Sequence, residues 1–362
     1  MKIMELVFAL SAGGAERMVV DLCNRFSEEG HDVILEVVED LNKPGNSHYV
    51  SEVAKNVLID SICASSGYSI GAILGTLKAI RKHKPDVVHL HSGILVLLLP
   101  TIFCKNVRYV HTIHSLAHRY APSTIKKVIS GFLYKNTKVQ PVTISKICHQ
   151  SYVDFYGYSN DICITNGREK LTVTSSFESV KKEIALLKKY ENTPVFIHVA
   201  RHHPVKNHKR LFSTFERLQN EGIDFSLIIL GDRYESFDYH YKDNSQIHLL
   251  GAKSNVGDYM ACADYFILTS DQEGLPLTLL EAMSMGVIPI CTPAGGIADV
   301  INDGKNGYMP EKIDDELYYL SVKRALAERG VINRQTIINE YEEKYSMKVC
   351  ADKYLEVYRA IR

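Results

Sequence analysis

Two polar segments in the second half of the chain hold residue types suited to gripping phosphate. The first reads Ala200-Arg201-His202-His203-Pro204-Val205-Lys206-Asn207 and follows an apolar run. It puts two cations on one loop. Such a pair can hold a diphosphate, the arginine as a two-pronged donor and the lysine as a point charge. The second segment reads SDQEGLPLTLLEAMSMG, from Ser270 to Gly286. Pro276 sits where a first helical residue belongs, because its missing N–H costs nothing there. A helix is therefore predicted to begin at about Leu275–Pro276. The unpaired N–H groups of its first turn, at Leu277 and Thr278, form an anion site. Glu281 falls on the same helical face and can accept both hydroxyls of a ribose. Glu273 and Gly274, in the loop before the helix, face the same space. Taken singly, each segment also fits ordinary surface charge, since acids favour helix N-termini in any protein. Both follow strands of one sheet, so they are expected to converge.

The first half contributes a turn, Ser11-Ala12-Gly13-Gly14-Ala15-Glu16, between a strand and a helix. Its glycines would let backbone N–H groups approach a ligand closely. The turn is not GxGxxG, and the chain has no GxxxxGK[ST], so neither a dinucleotide fingerprint nor a P-loop is present. Four histidines, His89, His91, His111 and His114, fall near strand ends. No carboxylate or thiolate set accompanies them in sequence, and strand alternation turns His111 and His114 to opposite faces, so no metal is expected. One or two should hydrogen-bond at the sheet edge and the others should lie in the core.

These residues need a scaffold, and the patterning supplies one. Short β-branched runs alternate with helical patterns from Ile3 onward, and the rhythm restarts at Pro194. Strands are expected at Ile3–Phe8, Asp32–Val38, Asp86–Leu90, Arg108–Ile113 and Val139–Ile144. In the second half they are expected at Val195–Ala200, Phe225–Leu230, Ile247–Leu250, Tyr265–Thr269 and Val287–Cys291. Runs apolar on both faces mark parallel strands covered by helices. The fold class is therefore α/β, with two doubly wound, Rossmann-like domains. Their boundary should lie between Asn166 and Thr193, a stretch that includes a lysine-rich helix at Lys181–Lys189. A last helix carries one apolar stripe of Met347, Cys350, Tyr354, Tyr358 and Ile361.

The chain has 362 residues, which fits two domains. Hydrophobic residues make up 46% and charged residues 23%, which excludes a disordered chain. Lys and Arg number 42 against 42 Asp and Glu, so the basic excess of a nucleic-acid binder is missing. The 8 cysteines are scattered without CxxC spacing, as in a reduced, cytoplasmic protein. The longest apolar stretch, Ile94–Cys104, is interrupted by Pro100 and falls short of the ~20 residues of a spanning helix. The N-terminus has a basic residue and an apolar run like those of a signal peptide, but Glu5 interrupts the run, which fits a buried strand better. Positions 87–153 lack any acidic residue and hold Lys105, Arg108, Arg119, Lys126, Lys127, Lys135, Lys138 and Lys146. This is either a solvated face balanced by acids elsewhere or a surface for anionic lipid. Within it, 119–138 mixes lysines with Ile125, Val128, Ile129, Phe132, Leu133 and Tyr134, as an interfacial helix does.

In this order the motifs resemble the GT-B glycosyltransferases of family four, over nearly the whole chain. The most specific element is Glu-x7-Glu, here Glu273 and Glu281, followed by Thr292-Pro-Ala-Gly295-Gly296. The Arg…Lys-Asn loop matches at Arg201, Lys206 and Asn207, the Gly-Gly loop at Gly13, Gly14 and Glu16, and Asn166-Gly167 matches the pair before the interdomain linker. The resemblance implies two domains facing a central cleft: 1–166 for the acceptor, a linker at 167–193, 194–345 for a nucleotide sugar, and 346–362 crossing back onto the first. It implies a metal-independent, retaining hexosyltransferase with a UDP- or GDP-sugar co-substrate. Arg201 and Lys206 would neutralise the departing diphosphate, and Glu281 would hold the ribose. Glu273 and His114 would contact the sugar. Gly13, Gly14, Gly231, Lys253, Gly274, Leu275, Leu277 and Thr278 would complete the donor site, with Glu16 and His91 on the acceptor side. The acceptor would be a glycan or an undecaprenyl-type lipid-linked saccharide in cell-surface polysaccharide synthesis. The enzyme would be cytoplasmic and peripheral at the inner membrane face. Two departures stand out: Arg168-Glu169-Lys170 replaces the usual Ile-Asp, and Ser115 follows His114 where an Asp is common. The competing readings are a GT-B nucleotide-sugar epimerase and a non-catalytic nucleotide-sugar-binding protein.

Overall fold

The computed structural model describes residues 1–65, 69–91, 93, 95–104, 106–121, 123–136, 139–234 and 245–361. Lys105 and Lys138 of the basic stretch, and Ile94, lie outside the described residues. The chain forms two compact units, Met1–Glu169 with Tyr345–Arg362, and Lys170–Lys344.

Unit one is built on seven parallel strands: β1 (Lys2–Val7), β2 (Asp32–Glu39), β3 (Leu58–Ala64), β4 (Val87–Leu90), β5 (Arg108–Ile113), β6 (Val139–Thr143) and β7 (Ile162–Cys163). Their order is β3-β2-β1-β4-β5-β6-β7, so the chain reverses direction across the sheet between β1 and β4. Met4, Leu6, Ile34, Val88 and Tyr109 are each 1% exposed or less, as apolar strands sandwiched between helices must be. Strands β3 and β7 were not anticipated. They are edge strands, and Leu58, Cys63, Ile162 and Cys163 are exposed, so neither shows a doubly buried run.

The last helix, Met347–Ala360, packs in unit one, with Tyr354 and Tyr358 fully buried. Gly167 is where the chain admits it. A Cβ there would lie 2.5 Å from Cys350 Cβ and 2.8 Å from the Ser346 carbonyl, so only glycine fits. Arg168 N donates to Tyr345 O and Met347 N to Arg168 O, each at 3.0 Å, which bridges the two passes of the chain. The departure at Arg168 has a structural role: its guanidinium reaches the buried Asp21 carboxylate at 2.5 Å. The stretch 167–193 is thus shared. Residues 167–169 belong to unit one, and the helix inside it runs Phe177–Leu186 in unit two, earlier than the lysine pattern indicated.

Unit two has five parallel strands: β8 (Val195–Val199), β9 (Ser226–Leu230), β10 (Ile247–Gly251), β11 (Tyr265–Leu268) and β12 (Ile288–Cys291). Each end lies within one residue of its expected place. The order β10-β9-β8-β11-β12 sets the direction switch between β8 and β11. Ligands of such sheets bind beyond the carboxyl ends of the strands at that switch.

Candidate functional site

The loops after β8 and β11 are zipped together where the switch requires. Asp271 N donates to Val205 O at 2.8 Å, and the Thr269 hydroxyl donates to Lys206 O at 2.9 Å. Asn207 adopts left-handed backbone (φ 46°), and its side-chain oxygen accepts from Arg210 N at 3.1 Å, capping the helix His208–Asn220. Its amide also donates to Asp271 at 3.0 Å. Asn207 therefore aims the loop that carries Lys206. Arg210, buried and missed in the sequence, braces the same junction with bonds to Thr269 O, Asp271 and Asp315 at 2.8, 2.8 and 2.6 Å. In sequence it reads as one more cation in a basic helix.

Lys206 Nζ meets Glu273 Oε1 at 2.6 Å, and the Ser270 hydroxyl donates to that same oxygen at 2.6 Å. Ser270 is held in turn by Thr292, whose hydroxyl donates to Ser270 O at 2.5 Å. The loop after β12, which carries Gly295 and Gly296, presses against this one. Gly296 N donates to Gly274 O at 2.7 Å, and Gly295, at φ 59°, has no room for a Cβ, which would fall 1.8 Å from Glu273 O. Gly231 is required for a similar reason: a Cβ would lie 2.0 Å from Ala200 O, at the start of the Arg201 loop. Arg201 is exposed, and Lys206, Glu273, Gly274, Thr278 and Glu281 are half-buried. Lys253 Nζ stands 5.6 Å over the Tyr259 ring. The helix of this segment is Leu277–Ser284. Pro276 is its N-cap residue with extended backbone (φ −71°, ψ 125°), so the helix starts after Pro276, later than expected.

Two buried histidines support these loops. His198 donates through Nδ1 to Ile267 O at 2.9 Å, and burial pulls its pKa down to about 4. His208 bonds the Tyr234 hydroxyl at 2.6 Å, while burial and then its histidine neighbours bring its pKa to about 2.

In unit one the loops after β1 and β4 flank the other switch. Gly13 caps the helix Gly14–Glu28 in extended backbone. The Glu16 carboxylate folds over it, since a Cβ on Gly13 would lie 2.2 Å from Glu16 Oε2. The Ser11 hydroxyl donates to the other Glu16 oxygen at 3.4 Å. Among the described residues, nothing lies within 4 Å of where a Cβ on Gly14 would be.

Two of the four histidines, His89 and His91, do have a carboxylate partner, contrary to the sequence expectation. Glu5, fully buried on β1, takes His91 Nε2 at 2.6 Å and lies 3.2 Å from His89 Nδ1. His91 Nδ1 is 3.1 Å from His114 Nε2. His89 also bonds the Tyr358 hydroxyl at 2.6 Å and Thr112 at 2.7 Å, and His111 bonds the Tyr134 hydroxyl at 2.6 Å. Burial alone would raise the Glu5 pKa, but the adjoining His89 and His91 rings outweigh it and bring it to about 2. Burial lowers His89 to about 4 and, with the neighbouring histidines, holds His114 well below the ordinary range. Glu5, His89 and His91 offer ligand atoms close enough for one ion. Each ring nitrogen of the two histidines already has a protein partner, so the cluster is complete as a hydrogen-bonded network.

Residues 12–164 match the family described as Glycosyltransferase Family 4, and residues 179–344 match that described as Glycosyl transferases group 1. Similar proteins include the N-acetyl-alpha-D-glucosaminyl L-malate synthase of Bacillus anthracis, 24% identical over 319 residues, covering 83% of this chain and 81% of that one. Another is the UDP-Gal:alpha-D-GlcNAc-diphosphoundecaprenol alpha-1,3-galactosyltransferase of Escherichia coli, 22% identical over 346 residues, 85% and 86% of the two chains. Among solved structures, Anabaena Alr3699/HepE in complex with UDP shares the fold at TM-score 0.82 and 16% identity, over 99% of this chain and 100% of that one. The chain belongs to the family-four glycosyltransferases of GT-B fold.

Proposed function

We propose that this enzyme transfers a hexose from a UDP-sugar to a glycan or a lipid-linked saccharide in cell-surface polysaccharide synthesis, with retained configuration and without a metal. The observation that carries the proposal is the Lys206–Glu273 pair, 2.6 Å apart beyond the carboxyl ends of β8 and β11. A diphosphate has more charge to offer the Lys206 ammonium than Glu273 does, so donor binding draws Lys206 to the phosphate. Glu273, still held by Ser270, is then free to accept sugar hydroxyls. Arg201 adds a second cation, and the first turn of Leu277–Ser284 adds N–H groups. Together they stabilise the charge that develops as the diphosphate departs, which replaces a metal's contribution. In unit one the same reading gives His114 a sugar-hydroxyl contact and gives Glu16 and His91 acceptor-side roles. Gly231 and Lys253 are assigned to the base end of the donor.

UDP as the nucleotide is supported by the names of the galactosyltransferase relative and of the Anabaena complex. The relative's diphosphoundecaprenol acceptor supports a lipid-linked saccharide. Peripheral attachment to an anionic membrane rests on the helix Thr124–Asn136, which exposes Ile125, Val128 and Phe132 beside Lys126 and Lys127. Among the described residues no helix is long and apolar enough to cross a membrane.

The test is a panel of UDP- and GDP-sugars with saccharide-diphosphate-lipid acceptors, in chelator, with products identified by mass spectrometry. A new glycosidic product supports the proposal. An epimerised nucleotide sugar, or binding without any product, supports the respective rival and refutes it.

A further inference from the structure

Glu36 on β2 and Asp60 on β3 are register partners in the parallel ladder, so their side chains project side by side from the same face of the sheet. Strand β3 is the sheet's edge. The helix Ile70–His83 ends above the pair and brings His83 Nε2 to 2.8 Å from Asp60 Oδ2 and 3.9 Å from Glu36 Oε2. The three ligating atoms all lie within 4.8 Å of one another. Glu36 is 1% exposed, yet among the described residues its Oε2 has no hydrogen-bond partner. A buried carboxylate oxygen without a partner is costly, and here it is aimed at a second carboxylate and an imidazole. Among the described residues, the other cation bonded to the set is Lys82, whose Nζ is 2.5 Å from Asp60 Oδ2 on a largely exposed side chain. Asp60 is partly exposed and opens the group to solvent.

We propose that Glu36, Asp60 and His83 form a binding site for a divalent first-row transition cation of the Zn2+ class. Two carboxylate oxygens and one imidazole nitrogen match the borderline character of such ions, and the imidazole disfavours Mg2+ and Ca2+. Zinc ligand atoms in a tetrahedral shell stand roughly 3.4 Å apart, given metal–ligand lengths of about 2.0–2.2 Å. The separations of 2.8 and 3.9 Å bracket that value. The fourth position faces solvent past Asp60 and takes water. The ion's two charges balance the two carboxylates and give Glu36 Oε2 the partner it lacks. Binding displaces the Lys82 ammonium from Asp60 and the proton that His83 Nε2 shares with it. The ion ties the edge strand, its neighbour and the end of the covering helix together. All three ligands belong to unit one, and none is among the residues assigned to transfer, so the site stands or falls apart from the proposed reaction.

The experiment titrates the full chain, stripped with chelator, with Co2+ and Zn2+, reading heat, the visible Co2+ spectrum and thermal melting. One equivalent of Co2+ should bind with an oxygen/nitrogen spectrum free of thiolate charge-transfer bands, which sets the free cysteines aside. Zn2+ at 100 times its Kd should raise the melting midpoint by several degrees, and Mg2+ should not. Glu36→Gln should abolish this binding while melting, without metal, no lower than the parent. Lys82→Gln, an exposed change that leaves the fold intact, should tighten binding by about two- to fivefold. No saturable binding overturns the proposal. So does binding that survives both Glu36→Gln and His83→Gln, binding that Lys82→Gln leaves unchanged, or binding lost on Glu5→Gln instead.

Discussion

The ion pair at the head of unit two makes a prediction with opposite signs for its two members. Lys206 Nζ and Glu273 Oε1 are 2.6 Å apart, on side chains 22% and 12% exposed. A hydrogen bond to a charged group at this depth is worth about 1.5–3 kcal/mol. Lys206→Ala removes it and leaves Glu273 with the Ser270 hydroxyl alone, so unit two should lose about 1–3 kcal/mol in urea unfolding. The same change removes one cation from the proposed diphosphate site. UDP affinity should fall by about tenfold, or about 1.4 kcal/mol. Turnover should fall by about 10²–10³-fold, the usual cost of one preorganised electrostatic donor. Glu273→Gln keeps the shape of the side chain and the Ser270 bond but releases the ammonium from its competing carboxylate. UDP should then bind more tightly, by up to about tenfold, while transfer slows because the sugar loses its anionic acceptor. Calorimetry with UDP in chelator, together with UDP release from UDP-sugars, reads both quantities. General damage to the loop would weaken UDP binding in both variants. That outcome, or a Lys206→Ala enzyme within about threefold of wild-type turnover, refutes the role given to this pair.

Three further outcomes are expected. Folded His198 titrates at about 4 and His208 at about 2, below the ordinary 6.5, so above pH 6.5 both states are neutral and their contribution is constant. As the pH falls below 6.5 the unfolded chain takes protons that the folded core refuses, so each group should lower stability by up to about 1.4 kcal/mol per pH unit towards pH 4; denaturant unfolding at pH 7.5, 6 and 5 measures the slope, and a flat profile counts against neutral burial. Gly167→Ala should destabilise unit one by about 1–3 kcal/mol and speed amide exchange in Met347–Ala360, because its methyl would meet the Ser346 carbonyl at 2.8 Å and backbone cannot yield as a side chain does. Vesicles containing anionic lipid should co-sediment the protein at low salt and release it as salt rises, and Phe132→Glu should weaken that binding; retention that salt and the substitution leave unchanged excludes the helix Thr124–Asn136 as an interfacial one.

The parts of the molecule legible in advance were those that depend on neighbours along the chain. Strands β8, β9, β11 and β12 are buried on both faces and bounded by turns, so their apolar runs announce them. The Lys206 and Glu273 loops follow such strands, and doubly wound topology brings loops after adjacent strands together. Register across distant strands leaves no such trace. Glu5 and His91 are 86 residues apart, and nothing local in either says that one will hold the other at 2.6 Å. Arg168 and Asp21 are paired over 147 residues in the same way. Yet a local sign did exist. Glu5 is a charged residue inside the apolar run of β1, and Glu36 occupies the same kind of position in β2, with apolar residues on both sides. A charge cannot be buried in a parallel strand without something opposite to answer it. For Glu5 the answer is two imidazoles and a tyrosine hydroxyl, and its network is closed. Glu36 has an oxygen still unanswered among its protein neighbours. Burial and the adjoining Asp60 raise the Glu36 pKa to about 7, so the second glutamate answers the same rule either by holding a proton or by sharing the proposed cation with Asp60 and His83, and the metal titration separates the two.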